Sequence, residues 1–166
     1  MEVSDSYKVK ADLIPFTAEF NQAVYSWIDS EQTLFDLCRS KDYPPSDDIV
    51  ETWQREDISA YLLMSENKPV AYGELWLRKM EREIEITHLL VDPFKRSRGL
   101  GTKMVGLLYE RASQYPGIVK VVIHLHSDNE DALSCYLNAG FELVGTTMGL
   151  PGLRMIRIVN NQDSAI

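Results

Sequence analysis

The pattern of apolar and polar positions divides the chain into short strands and helices. Alternation of the two from Tyr7 to Leu13 predicts a first strand, and apolar residues at helical spacing predict helices at 18–30, 34–39 and 46–53. The later pattern predicts strands at 59–64, 70–78 and 83–91, a helix at 99–114, a strand at 118–126, a helix at 129–139 and strands at 141–148 and 153–159.

This order of elements, roughly β-α-α-β-β-β-α-β-α-β-β, predicts the α/β (α+β) class. A meander followed by crossover helices implies one mixed sheet with helices on both faces. Residues 1–166 contain no repeat, low-complexity tract or flexible linker, so we expect a single domain.

Composition adds limits on location and partners. The hydrophobic fraction of 45% is that of a globular protein, and no run approaches the roughly 20 apolar residues of a membrane span. Two cysteines and the absence of a signal-peptide pattern predict a cytoplasmic protein. The net charge of −8 disfavours nucleic acid and mildly favours a cationic substrate such as an amine, although acidity often serves only solubility.

The most informative run is 89–102, LLVDPFKRSRGLGT, in which a strand ends, a basic loop follows and a helix begins. Helix N-termini bind phosphate through unpaired N–H groups, and Gly99 and Gly101 would let an anion approach closely. Lys95, Arg96 and Arg98 add positive charge. The alternative to a phosphate site is a glycine-containing turn whose basic side chains are simply solvated. A dinucleotide-binding glycine motif and a Walker loop are disfavoured, since neither the third glycine nor a Gly-Lys-Ser/Thr sequence is present.

Two spaced motifs identify a family. Arg96-x-x-Gly99-x-Gly101 resembles the pyrophosphate loop of GNAT acetyltransferases. One strand later, Asn129-x-x-Ala132-x-x-x-Tyr136-x-x-x-Gly140-Phe141 resembles the second signature of the same family. The resemblance is good from about residue 83 to residue 144, and before that it extends only to the order of elements.

The resemblance implies a three-layer fold and an activity. Its mostly antiparallel seven-stranded sheet would splay between the fourth and fifth strands, and acetyl-CoA would bind in the gap as co-substrate, with no metal. The pantetheine arm would pair with Leu89, Leu90 and Val91, and Asn129 would contact the arm. The pyrophosphate would be held by Arg96, Ser97, Arg98, Gly99, Leu100, Gly101 and Thr102. Dimers are common in the family, so a homodimer is one of the oligomeric states that the sequence leaves open.

The implied reaction is direct attack of a primary amine on the thioester in a ternary complex. Tyr136 occupies the family's position for the general acid; alternatively it belongs to a buried stripe of Ala132, Leu133, Tyr136 and Leu137. Backbone N–H groups of Leu90 or Val91 are candidate oxyanion donors.

The general base stays open between Glu85, His124 or His126, and water. Alternation would place Glu85 on the same face as Thr87, Leu89 and Val91. The alternative for Glu85 is a cross-strand ion pair, and for the histidines a structural role.

The acceptor would dock against 20–53 and 145–153, as a small-molecule amine or a peptide or protein amine. These segments contain aromatic and acidic residues that could hold a cation, or that form only core and solvated surface: Tyr25, Trp27, Asp29, Glu31, Phe35, Asp36, Tyr43, Asp47, Asp48, Glu51, Trp53 and Met148. Two rival functions are a non-catalytic acetyl-CoA-binding regulatory module and a nucleotide-binding protein.

Overall fold

A seven-stranded sheet of order β1-β2-β3-β4-β5-β7-β6 forms the centre of the fold. The computed structural model describes residues 10–146 and 152–159. Neighbouring strands are antiparallel except β4 and β5, which are parallel. The strands are β1 (Ala11–Pro15), β2 (Ile58–Ser65), β3 (Lys68–Arg78), β4 (Glu83–Val91), β5 (Lys120–His126), β6 (Glu142–Thr146) and β7 (Gly152–Ile158).

Helices precede the meander and flank β5. They are α1 (Asn21–Ser26), α2 (Glu31–Cys38), α3 (Ile49–Thr52), α4 (Leu100–Ser113) and α5 (Glu130–Asn138), with 3-10 turns at Ala18–Phe20 and Pro93–Lys95. Helix α2 begins where the Ser30 hydroxyl accepts a hydrogen bond from the Thr33 N–H, and it ends at Arg39 in the left-handed conformation. None of these described helices combines the length and apolar character needed to cross a membrane.

Two hydrophobic cores cover the two faces of the sheet, which confirms the predicted three-layer α/β fold. Helix α4 buries Leu100, Met104 and Leu108 against one face. On the opposite face, Val24, Trp27, Leu34, Val50 and Trp53 from the first three helices pack on Leu62, Tyr72 and Leu90. Each helix therefore contributes one apolar stripe and leaves its other side polar.

The predicted splay lies in the middle of the sheet. Strands β4 and β5 pair only from Glu83 with Lys120 to Ile86 with Ile123. Beyond Ile86, β4 continues to Val91 beside β3 alone, while β5 continues beside β7. The sheet is thus continuous at one end of these strands and open at the other.

A β-bulge at His88 changes which side chains of β4 share a face. His88 has φ +45°, and the β3–β4 register shifts between the Tyr72 and Glu74 pairings. Ile84 and Ile86 face α4, as do Leu89 and Val91 after the bulge, whereas Leu90 faces the first three helices. The predicted common face of Glu85 with Leu89 and Val91 is therefore wrong, because the extra residue reverses the alternation.

The structure also corrects the stripe predicted on α5. Leu137 is exposed, so it does not share the buried side with Tyr136. Residues 147–151 of the predicted acceptor loop, including Met148, lie outside the described residues.

Candidate active site

A cleft of about 740 Å³ opens where β4 and β5 part. It brings together these sequence-predicted site residues: Glu85, Leu89, Leu90, Val91, Arg96, Gly101, His124, Asn129 and Tyr136. Gly99 and Thr102 instead border a second, more open hollow beside α4 and α5, while Ser97, Arg98 and Leu100 line neither. His126 is also outside the cleft lining, because its ring packs edge-on against Phe35.

The free edge of β4 presents backbone groups to the cleft. The Asp92 N–H donates to Val70 O on β3 at 2.9 Å. Because alternate residues of a strand hydrogen-bond toward opposite edges, the groups of Leu90 also face β3, and those of Leu89 and Val91 face the gap. An extended molecule in the gap can therefore pair with Leu89 and Val91 as an added strand.

The N-terminus of α4 lies beside this edge. Gly99 precedes the helix with φ +76°, and no side chain caps the first turn. The first-turn N–H groups are thus available to an anion, with the positive end of the helix dipole behind them. A Cβ on Gly101 would lie 3.3 Å from Cys135 Sγ, so α4 and α5 approach closely at this position. These features fit a phosphate group.

Two residues that were predicted to bind the cofactor, Arg96 at the pyrophosphate and Asn129 at the pantetheine arm, contact other groups of the protein. The Arg96 guanidinium lies 3.4 Å from the Asp29 carboxylate, so it joins the loop before α4 to the loop before α2. Asn129 Oδ1 accepts a hydrogen bond from the Ala132 N–H and caps α5. The Asn129 amide nitrogen is the group left to contact a bound ligand.

Tyr136 contacts the cleft from α5 and is 8% exposed. Burial raises the pKa of its phenol, and the nearby Cys135 and Asp36 add to the rise. The hydroxyl therefore stays protonated throughout the neutral range, which suits a hydrogen-bond donor.

Glu85 and His124 form a pair on the face opposite α4. His124 Nδ1 lies 2.6 Å from Glu85 Oε1, and Arg78 lies 3.7 Å from the other carboxylate oxygen. Glu85 thus takes part in an ion pair, as its alternative reading predicted, and also orients a histidine. With Nδ1 directed at the carboxylate, Nε2 of His124 is the nitrogen available to a ligand.

The sequence pattern did not predict a second histidine–carboxylate pair, His88 with Glu74. His88 Nδ1 lies 2.6 Å from Oε1 of Glu74, which is 0% exposed. The Tyr72 and Thr87 hydroxyls also donate to Glu74, and the His88 ring stacks on Trp53 at 4.2 Å. Strand alternation gave no signal for this pair, because the bulge alone turns His88 toward Glu74.

The remaining cleft wall mixes aromatic and charged side chains. Of the predicted acceptor residues that the structure describes, only Asp36 and Trp53 line the cleft. Trp27 is core, and Asp29 pairs with Arg96. The cleft also includes Trp76, whose ring lies under the Arg55 guanidinium at 5.1 Å from the centroid.

Comparisons with known proteins agree with this geometry. A profile of the acetyltransferase (GNAT) family matches residues 21–141. The aminoglycoside N(6′)-acetyltransferase type 1 of Klebsiella pneumoniae is 29% identical over 103 residues, covering 55% of this chain and 51% of the relative. The match thus spans about half the length of that curated relative.

Solved structures show the same fold. A crystal structure of an aminoglycoside acetyltransferase with coenzyme A and kanamycin has a TM-score of 0.75 at 23% identity, covering 90% of this chain and 95% of that one. The spermidine N-acetyltransferase from Vibrio cholerae with CoA and spermine has a TM-score of 0.77 at 12% identity, with the same coverages of 90% and 95%.

Proposed function

The chain belongs to the acetyltransferase (GNAT) family, and we propose that it transfers the acetyl group of acetyl-CoA to a primary amine by direct attack in a ternary complex. The observation that carries the proposal is the free edge of β4 beside the uncapped N-terminus of α4. One site thereby offers strand-like pairing to an amide-containing arm and N–H groups to a phosphate.

Acetyl-CoA has two parts that suit this site. Its pantetheine arm would pair with the backbone of Leu89 and Val91, while the pyrophosphate would lie at the first turn of α4. Gly101 lets α4 start close to α5, because a Cβ at this position would lie 3.3 Å from Cys135 Sγ. Arg96 would exchange its contact with Asp29 for the phosphate charge, since both partners are anionic.

The reaction forms an N–C bond and breaks a C–S bond. In this proposal Tyr136 donates a proton to the departing thiolate, and a free β4 N–H stabilises the oxyanion. His124, oriented by Glu85, takes a proton from the amine nitrogen as the N–C bond forms. Tyr136 and His124 line the same cleft as Leu89 and Val91 of the free β4 edge, where the thioester would reach from the arm.

The acceptor class that we propose is a small-molecule amine carrying several positive charges. Asp36 and Asp131 contribute carboxylates to the cleft, beside Glu85, whose charge Arg78 and His124 share. The chain's net charge of −8 favours the approach of such a cation. The names of similar proteins support this class, since they include aminoglycoside and spermidine acetyltransferases.

A thiol-release assay with acetyl-CoA tests the proposal. The panel is kanamycin, spermidine, single amino acids and a peptide with a free N-terminus. Turnover on kanamycin or spermidine would support both activity and class, and turnover on the peptide alone would refute the class. Tight acetyl-CoA binding without turnover on any amine would favour a regulatory module. Preference for ATP or NAD over acetyl-CoA in a binding assay would overturn the family-based function.

A further inference from the structure

An amine acceptor must lose two protons in the proposed reaction. Alkylamines are mostly ammonium ions at neutral pH, because their unperturbed pKa is near ~10.4. One proton must leave before the nitrogen can attack, and a second leaves as the amide forms. His124 accounts for the second proton only, so the first must pass either to water or to another side chain of the cleft.

His88 has the geometry of such an acceptor. Its Nδ1 is engaged by Glu74 at 2.6 Å, so Nε2 on the other edge of the ring is the nitrogen left to bind a proton. Stacking on Trp53 fixes the plane of the ring. His88 lines the same cleft as His124, and it lies two residues beyond Ile86, the last residue of β4 that pairs with β5.

The carboxylate behind His88 is better suited to support a positive charge than the one behind His124. Glu74 is fully buried, and its other described partners are the neutral hydroxyls of Tyr72 and Thr87. Glu85 shares its charge with Arg78. The Glu74 carboxylate would therefore stabilise the positive charge that His88 acquires when it takes up a proton.

We propose that His88, oriented by Glu74, removes the first proton from the acceptor's ammonium group; this inference rests on the proposed acetyl transfer. His88 Nε2 takes that proton, the neutral amine attacks the thioester, and His124 takes the second proton from the adduct. Tyr136 protonates the sulfur and regains its proton from His124. His88 then releases the first proton to solvent, so each turnover yields amide, thiol and one free proton.

His88→Asn is the decisive variant. Asn tolerates a positive φ and places an amide nitrogen where Nδ1 donates to Glu74, so the bulge and the buried network survive. It has no counterpart of Nε2. His126→Asn is the matched control, because that histidine lies outside the cleft. Unchanged melting temperature and acetyl-CoA affinity would establish that His88→Asn retains the fold.

The readout is kcat/KM against pH for whichever of kanamycin and spermidine is acetylated faster. Between about pH 7.5 and 9.5, alkylamines are largely charged. The wild type, with its own base, should therefore depend less steeply on pH than His88→Asn over this range. His88→Asn can use only amine that is already neutral in solution, so its kcat/KM should rise by up to about tenfold per pH unit. Near neutral pH its kcat/KM should be about 100-fold below that of the wild type.

The other charged or titratable groups that line the cleft are constant between the variants: Asp36 of α2, Arg39 after it, Arg55 after α3, Glu85, Arg96, His124, Asp131, Cys135 and Tyr136. Glu74→Gln should lower kcat/KM by a smaller factor and give a shallower slope than His88→Asn, since it removes orientation but not the imidazole. A wild-type profile and wild-type kcat/KM for His88→Asn would refute the inference and leave the acetyl transfer intact. A wild-type protein that acetylates no probe would refute both.

Discussion

Replacing Tyr136 with Phe isolates one hydroxyl at the proposed site of thiolate departure. Phe keeps the ring that packs between α5 and the α4 core, so the change removes only the proton donor. A hydrogen bond to a charged group contributes about 1.5–3 kcal/mol, and we therefore expect kcat to fall about 10- to 150-fold.

Acetyl-CoA affinity should stay near the wild-type value, because the sulfur of the intact thioester is a weak acceptor and becomes anionic only as the C–S bond breaks. The assays are steady-state thiol release for kcat and calorimetry for binding. Tyr109→Phe, which removes a hydroxyl that donates to Ile158 O at 2.8 Å, is the matched control and should keep wild-type kcat.

The pH dependence gives a second check on Tyr136. Because burial raises the pKa of its phenol above the ordinary value of about 10, kcat should show no basic limb from this residue below about pH 10. Tyr136→Phe with kcat within about twofold of wild type, which corresponds to a few tenths of a kcal/mol, would refute the assignment.

Three further outcomes are expected. Gly101→Ala should weaken acetyl-CoA binding about tenfold by calorimetry, because its Cβ would crowd Cys135 at 3.3 Å and displace the first turn of α4; unchanged affinity would contradict the close approach. Glu85→Gln should lower kcat about 10- to 100-fold and move the acidic limb of its pH profile, whereas an unmoved limb would exclude a role in proton transfer. Burial raises the pKa of both Tyr72 and Tyr136, so the native state holds these protons more tightly than the unfolded state. Stability should therefore be intact below about pH 10 and fall above it by up to about 1.4 kcal/mol per pH unit for each tyrosine; a denaturation series in which Tyr136→Phe has the wild-type slope would contradict this.

The sequence predicted the fold because its strongest signals are local. The β-branched run of β5 and the apolar face of α4 each fix one element, and the glycine-containing loop fixes the turn between β4 and α4. The spacing between the two motifs then identified the family, and the family resemblance implied the splayed sheet. The bounds predicted for β4, Glu83 to Val91, agree with the structure.

The His88–Glu74 pair could not be predicted in the same way. Glu74 is the one charged residue between Val70 and Leu77 of β3, and a lone carboxylate is more often exposed to solvent, yet it is fully buried. Its burial depends on Tyr72 and on Thr87 and His88 from a neighbouring strand. A bulge involves the register of two strands, so the periodicity of one strand does not contain it.

The short pairing of β4 with β5 also makes this seam a weak point of the sheet. Strands β1–β4 and β5–β7 are joined by four backbone residue pairs, from Glu83 with Lys120 to Ile86 with Ile123, by side-chain pairs such as Glu85 with His124, and by the core beneath α4. Local opening begins where few hydrogen bonds must break. The amides of Leu89 and Val91 should accordingly exchange with deuterium quickly in the free protein. A ligand that pairs with them would take the place of a strand between β4 and β5 and so hold the two halves of the sheet together.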